Sequence, residues 1–354
     1  MQSPLDIAAH YLKSGQLEAA EAACREALKG LPGHPMAFGM LAVIGNARQD
    51  FRFALDHATT AVAAADSVAW LHVELAAALL GLGRLAKAAT AARRAVEIDP
   101  DVPRGYPLLS RALMPGESYR DVITRFHALL TPKAYVEIGV ATGATLALAR
   151  PPCMAVGIDP KPSLQGGIAT SVKLFPLESD TYFASRDLRT DLEAPSFDLA
   201  FIDGLHVFQQ VLRDFINVER FAAPHSVVLI HDCIPIDPFT ATPERRSSFW
   251  TGDVWKVMAA LLKWRPDLDV QSVATPPSGL GVVCRLDPKN RVLADNFDAI
   301  VAEFKDATPP VAPKDLRRLL AMVDNDWSRI AARVGRVTGT GVGGGTVVPS
   351  AGSA

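Results

Sequence analysis

The sequence predicts two architectures in one chain. An all-α array of helical repeats comes first, followed by an α/β domain whose mostly parallel sheet ends in an antiparallel strand. Two observations carry this reading. Small and turn-forming residues recur every 34 positions through the first hundred residues. From residue 134 onward, short apolar runs closing on glycine, acid or imidazole alternate with amphipathic stretches, as strands alternate with covering helices.

The repeat is visible in columns. Gly15, Gln49 and Gly83 stand 34 residues apart, as do Leu17, Phe51 and Leu85. The same step links Ala20, Ala54 and Ala88, and then Ala27, Ala61 and Ala95, while Pro32 and Pro100 lie two steps apart with Asp66 midway. A stack of helical hairpins explains the columns. Ala8, Ala42 and Ala76 fall where neighbouring helices approach closely. Glycine ends one helix and turns the chain. Alanines seven apart share one face of the next helix, and proline stops it. These residues resemble the tetratricopeptide consensus, and three copies cover residues 1–102. Gln49 in place of glycine, Asp66 in place of proline and Pro4 in place of an early tryptophan are the departures, so the middle copy is the weakest. The resemblance implies binding of a protein partner; packing or self-association is the alternative. Residues 103–131 read as a linker followed by a covering helix over the amphipathic run Tyr119–Leu130.

The second part opens on Ala134-Tyr-Val-Glu-Ile-Gly-Val-Ala-Thr-Gly, a strand, a glycine turn and a helix start. Gly139 allows a sharp turn, Gly143 allows close approach at the helix N-terminus, and Thr142 offers a hydroxyl there. The next strand, 154–159, ends in Asp159, 20 residues after Gly139. That is where an acid accepts hydrogen bonds from ribose hydroxyls. A third strand, 172–177, leads to Glu178-Ser179-Asp180. The densest cluster joins Phe197-Asp-Leu-Ala-Phe-Ile-Asp203-Gly-Leu-His206 to Val227-Val-Leu-Ile-His231-Asp232. Two buried strands thus deliver ionisable groups to one sheet edge, where open α/β sheets bind ligands. Residues 237–249 read as a lid, with Trp250, Asp253 and Trp255 placed either at the pocket or as a helix cap with aromatic core contacts. Asp253 fits a cap for the helix that follows. Residues 268–274 and 281–286 read as the antiparallel final hairpin. Residues 289–335 then form C-terminal helices and 336–354 a disordered tail.

The spacing Glu137-x-Gly139-x-x-x-Gly143 looks like the ExGxxxG motif of class I methyltransferases. The pairing of IDGLH with LIHDC resembles the class I O-methyltransferase-like group described as methyltransferase domain 24, over residues 132–288. The resemblance implies a Rossmann-like methyltransferase domain that binds S-adenosyl-L-methionine through Glu137, Gly139, Thr142, Gly143, Asp159, Asp180 and Asp203. It also implies His206 as general base and a divalent metal such as Mg²⁺ on Asp203, His231 and Asp232. His231 departs from the family, which has glutamate there. Magnesium prefers oxygen ligands, so the imidazole favours a softer ion or no metal. O-methylation of a small molecule, sugar or glycan is the activity implied.

Two other readings compete. A NAD(P)-dependent oxidoreductase would prefer GxGxxG and would lack the terminal hairpin. An interaction scaffold with a degenerate fold would have no reason to keep Glu137, Gly139, Gly143, Asp159, Asp203 and His206. Composition narrows the partners. With 36 basic against 38 acidic residues there is no basic excess for nucleic acid. The scattered Cys24, Cys153, Cys233 and Cys284 form no CxxC pair and fit a reducing, cytoplasmic setting. No secretory signal and no apolar run of membrane-spanning length is expected.

Overall fold

The structure, a computed structural model, describes residues 3–339. The chain divides into two compact units. The first comprises residues up to Pro115 together with Arg245–Trp250, and the second holds Gly116–Glu244 and the chain from Thr251.

The first unit begins with three helical hairpins: α1 (Pro4–Lys13) with α2 (Leu17–Gly30), α3 (Pro35–Ala47) with α4 (Phe51–Ala64), and α5 (Ala69–Gly81) with α6 (Leu85–Ile98). The second helices start on the predicted 34-residue column. Ala8, Ala42 and Ala76 are fully buried, as are Ala20 and Ala54. The turns before α2, α4 and α6 place Gly15, Gln49 and Gly83 at φ 72°, 60° and 69°. The left-handed turn is therefore kept where glutamine replaces glycine, although a side chain there is disfavoured. Where the sequence predicts a linker, α7 (Gly105–Leu113) forms and packs on α5 and α6. It covers the apolar end of the array, as a terminal cap must.

The second unit is an eight-stranded sheet of order β3-β2-β1-β4-β5-β7-β6-β8. Its strands are β1 (Ala134–Ile138), β2 (Met154–Ile158), β3 (Ser171–Phe175), β4 (Leu199–Ile202), β5 (Val227–His231), β6 (Asp269–Val273), β7 (Leu280–Cys284) and β8 (Met322–Val323). β1 to β5 are parallel. β7 inserts antiparallel between β5 and β6, so the expected terminal hairpin is present. β8, with only two residues, adds parallel to β6; the 289–335 segment is therefore not purely helical.

Alternation along each strand divides the sheet's two faces. α8 (Tyr119–Leu130) lays Val122, Ile123 and Phe126 on one face with Tyr135, Leu199, Phe201, Val227 and Leu229, and α16 (Trp327–Thr338) adds Ile330 and Val334. α9 (Ser179–Ser185) and α10 (Leu188–Leu192) follow β3. α11 (Phe208–Glu219) packs on β4, and α12 (Trp255–Trp264) packs on β6 and α11. The short helices α13 (Val292–Asp295), α14 (Phe297–Phe304) and α15 (Pro313–Leu319) lead to β8. α16 reaches Thr338, past the predicted start of the tail, and the tail from 340 lies outside the described residues. Among the described residues no helix is long and apolar enough to cross a membrane.

Candidate active site

The strand order reverses between β1 and β4: β1 continues to β2 on one side and β4 continues to β5 on the other. The loops leaving β1 and β4 therefore diverge and open a crevice at the carboxyl ends of the strands. A cavity of about 680 Å³ occupies it. Gly139, Thr142, Asp159, Asp180, Asp203, His206, His231 and Asp232 all line it, so most of the residues singled out from the sequence meet at one place.

Gly139 is required by two features at once. Its φ is 86°, and a Cβ there would lie 2.0 Å from the carbonyl oxygen of Asp203. The two diverging loops touch at this point, and only a residue without a side chain lets them. Gly143, at φ 77°, does not line the cavity; a Cβ would meet the end of the Leu164 side chain at 2.6 Å. Glu137 is also absent from the lining. It is fully buried, and accepts hydrogen bonds from Tyr135 Oη at 2.6 Å and Thr145 Oγ1 at 2.7 Å. Burial pushes its carboxyl up to about 8 against those two hydrogen bonds. Glu137 thus braces the glycine loop from behind through Thr145, which does line the cavity.

Asp159 closes β2. One carboxylate oxygen accepts the Ala141 N–H at 2.8 Å and the other the Lys161 N–H at 2.7 Å. The carboxylate is thereby fixed with lone pairs left over for a ligand. Asp180, at the start of α9, is exposed and engaged by Gln210 Nε2 and Arg213 Nε, each at 3.1 Å. Behind it Ser179 donates to Asp214 Oδ1 at 2.6 Å, while Asp214 Oδ2 has no hydrogen-bond partner. Burial raises the Asp214 carboxyl to about 6. Asp214 and Gln210 both line the cavity and were not read from the sequence. Their positions on the buried stripe of α11 give no sign of it.

Four ionisable side chains converge at the other end. His206 Nε2 lies 3.1 Å from Asp232 Oδ2 and 3.5 Å from Asp203 Oδ1. His231 Nδ1 lies 3.1 Å from Asp203 Oδ1 and 3.4 Å from Asp232 Oδ2. Burial opposes charge on both imidazoles, but the two carboxylates outweigh it and raise both pKa values, that of His231 well above the ordinary range. The same attraction overcomes burial at Asp203 and lowers its pKa. A raised pKa makes His206 a stronger base and reduces its unprotonated fraction at neutral pH.

Among the described residues, the ligand atoms of Asp203, His206 and Asp232 lie within 4.8 Å of one another, close enough to share a metal ion. His231 is not in this group. Its ring packs against Tyr119 with centroids 4.0 Å apart and planes tilted by 31°, and its Nδ1 is turned to the two carboxylates. Two carboxylates and one imidazole fit a divalent ion by donor type.

Several supports come from loops distant in sequence. Asp232 holds φ 56°, and the buried Ser278 hydroxyl donates to its Oδ1. Gly252, at φ 61°, lies against His206, where a Cβ would sit 1.7 Å from the His206 carbonyl oxygen. Asp253 caps α11 by accepting the Phe208 N–H at 2.7 Å and pairs with Lys256 Nζ at 3.1 Å. It therefore fixes the segment after His206 and does not cap its own helix as expected, since α12 has no side-chain cap. Trp255 is buried, and Trp255 and Asp253 do not line the cavity. The 237–249 stretch also contributes nothing to the lining. Its end, with Trp250, belongs to the first unit, where Phe249 stacks on Tyr106 at 5.0 Å and Ser248 N–H donates to Asp101 at 2.7 Å.

A mostly parallel sheet with the antiparallel strand β7 inserted, and with glycine, acid and imidazole gathered at its switch point, is the arrangement of a Rossmann-like methyltransferase domain. Residues 136–233 match a family model described as a methyltransferase domain, so the second unit carries such a domain. The family implies S-adenosylmethionine as methyl donor. Among solved structures the chain is similar to the Arabidopsis OM64 TPR domain, at 18 % identity over 31 % of this chain and 90 % of that one, with a TM-score of 0.30. It is similar to the first TPR domain of human RPAP3 at 20 % identity, over 31 % and 86 %, with a TM-score of 0.30. A mutant O-GlcNAc transferase of Thermobaculum terrenum shares 16 % identity over 56 % of this chain and 44 % of its own, with a TM-score of 0.31. No curated protein matches the chain.

Proposed function

We propose that the protein transfers the methyl group of S-adenosylmethionine to a hydroxyl of a small molecule or glycan. The observation that carries this is the single cavity at the β1–β4 switch point, which gathers Gly139, Thr142, Asp159, Asp203 and His206. Gly139 and the glycine loop accept the ligand backbone-close, and Asp159 takes the ribose hydroxyls. Asp180 stands where the adenine end falls, with Gln210 and Asp214 beside it. His206 removes the acceptor's proton as the oxygen attacks the methyl carbon in line, the S–C bond breaks, and S-adenosylhomocysteine leaves. Holding the two reactants together supplies a large part of the barrier reduction. With His206 kept free as the base, Asp203 and Asp232 are the carboxylates that would hold a divalent ion, and such an ion would lower the pKa of the acceptor hydroxyl.

Calorimetry tests the reading. The wild type should bind S-adenosylhomocysteine and not NADH, and Asp159→Ala should weaken the former at least about tenfold, the loss of charge-assisted hydrogen bonds. His206→Ala should leave that affinity within about twofold and abolish transfer. Tight NADH binding, or no nucleoside binding at all, sinks the proposal.

We also assign the repeat unit to protein association, with self-association as the form to test first. Its support is a cavity of about 1010 Å³ among α4, α5 and α6, lined by Arg84, Lys87, Arg93 and Arg94 together with Asp56, Asp66 and Glu97, a mixed charge pattern that a second copy can complement. Analytical ultracentrifugation of the wild type and a Lys87→Glu/Arg93→Glu variant tests it. A wild-type oligomer dissociated by the variant is expected, and a wild-type monomer excludes it.

A further inference from the structure

The charge of the cavity is lopsided. Six carboxyl side chains line it, from Asp159 to Asp232, and Arg120 is the one lysine or arginine in the lining. Arg120 sits in the first turn of α8, where neighbouring acids are already committed. Glu117 is bound by Arg125 at 2.6 Å, and Asp121 takes the Ser118 N–H at 3.0 Å and the Ser118 hydroxyl at 2.6 Å. Among the described residues no carboxylate pairs with Arg120. Its Nε donates to Tyr119 Oη at 3.1 Å, and its guanidinium carbon lies 5.5 Å from the Tyr119 ring centre. Tyr119 in turn packs against the His231 ring. An arginine is thus tethered beside the acid–imidazole cluster with its two terminal nitrogens unused.

An acid-lined cavity attracts a sulfonium and an ammonium but repels a carboxylate. A ligand bearing all three needs one cation for its carboxylate, and a guanidinium meets a carboxylate with two parallel hydrogen bonds. We propose that Arg120 holds the α-carboxylate of the amino-acid arm of S-adenosylmethionine. Arg120 selects the full cofactor over nucleosides that lack the arm. The inference rests on the cofactor assignment made above.

Calorimetry with two probes isolates the contact: S-adenosylhomocysteine, which has the arm, and 5′-methylthioadenosine, which does not. Arg120→Ala should weaken the first about tenfold and leave the second within about twofold, while Arg120→Lys recovers part of the loss. Equal losses for both probes, or an unchanged affinity for S-adenosylhomocysteine, overturns the inference; the unchanged case assigns Arg120 to an anionic group on the acceptor instead. If the wild type binds neither probe, the cofactor assignment itself falls. If it binds both and the arginine variant shows no selectivity, only the role of Arg120 falls.

Discussion

The two units use small residues for opposite ends. In the repeat unit, Ala8, Ala20, Ala42 and Ala54 are fully buried so that helices close on helices, and the same solution recurs every 34 residues. In the α/β unit, Gly139 and Gly252 bring one loop's backbone against another's carbonyl, each once and at one place. The polar interior divides the same way. His72, Glu74 and Ser110 are the buried polar groups of the first unit's helices, whereas Glu137, His231 and Asp232 gather at the carboxyl ends of strands in the second, with Asp214 on α11 beside them. Repetition builds a surface, while a site needs positions that are not interchangeable. Substitutions in the first unit should therefore leave nucleoside binding unchanged, and those at the strand ends of the second should alter it.

Gly139→Ala should break the comparison most severely if it is wrong. Its Cβ would fall 2.0 Å from the Asp203 carbonyl, on a left-handed backbone. We expect about 3 kcal/mol or more of destabilisation and loss of S-adenosylhomocysteine binding. A variant that melts and binds like wild type refutes the close contact.

Asp214→Asn comes next. Folding raises this carboxyl from 3.8 to about 6, so the folded state binds the extra proton between those values. Stability from this group is therefore greatest at low pH and falls as pH rises through about 4 to 6. Removing the charge should raise stability at pH 7 by up to about 3 kcal/mol and flatten that part of the melting-temperature profile. An unchanged slope discards the assignment.

In the repeat unit, Gly45→Ala places a Cβ 2.8 Å from the Ala54 backbone nitrogen. Overpacking of this kind should cost about 1–2 kcal/mol, read from denaturant unfolding. Nucleoside affinity should stay the same, and a change in it would erase the division between the units. Smallest and opposite in sign, Gln49→Gly should stabilise by up to about 1 kcal/mol, because φ 60° suits glycine. A loss of stability would mean that the glutamine side chain contributes more than its backbone strain removes.

Periodicity gave access to α1 through α6, since equal spacing needs no knowledge of what the helices touch. α7 was hidden because Pro103, Gly105 and Pro107 read as breakers, yet Pro107 falls in the first turn of the helix, where its missing N–H does no harm. At the site, Gly139, Asp159, Asp203 and His206 were legible because each ends or follows a recognisable strand. Arg120, Gln210, Asp214 and Ser278 were not, for they lie on helices or in a distant loop whose patterns record only packing.

By itself the sequence determined the order of helices and strands, the glycine turns, and which polar groups would end β1, β2, β4 and β5. Those follow from backbone stereochemistry and from apolar periodicity, which act within a few residues. Only the tertiary structure decided that Glu137 turns inward to Tyr135 and Thr145, that His206 shares with Asp203 and Asp232 the cluster whose ligand atoms lie within 4.8 Å of one another, and that Asp253 serves α11. Such choices depend on which buried donor lies within about 3 Å of which acceptor, a distance set by packing between segments far apart in the chain.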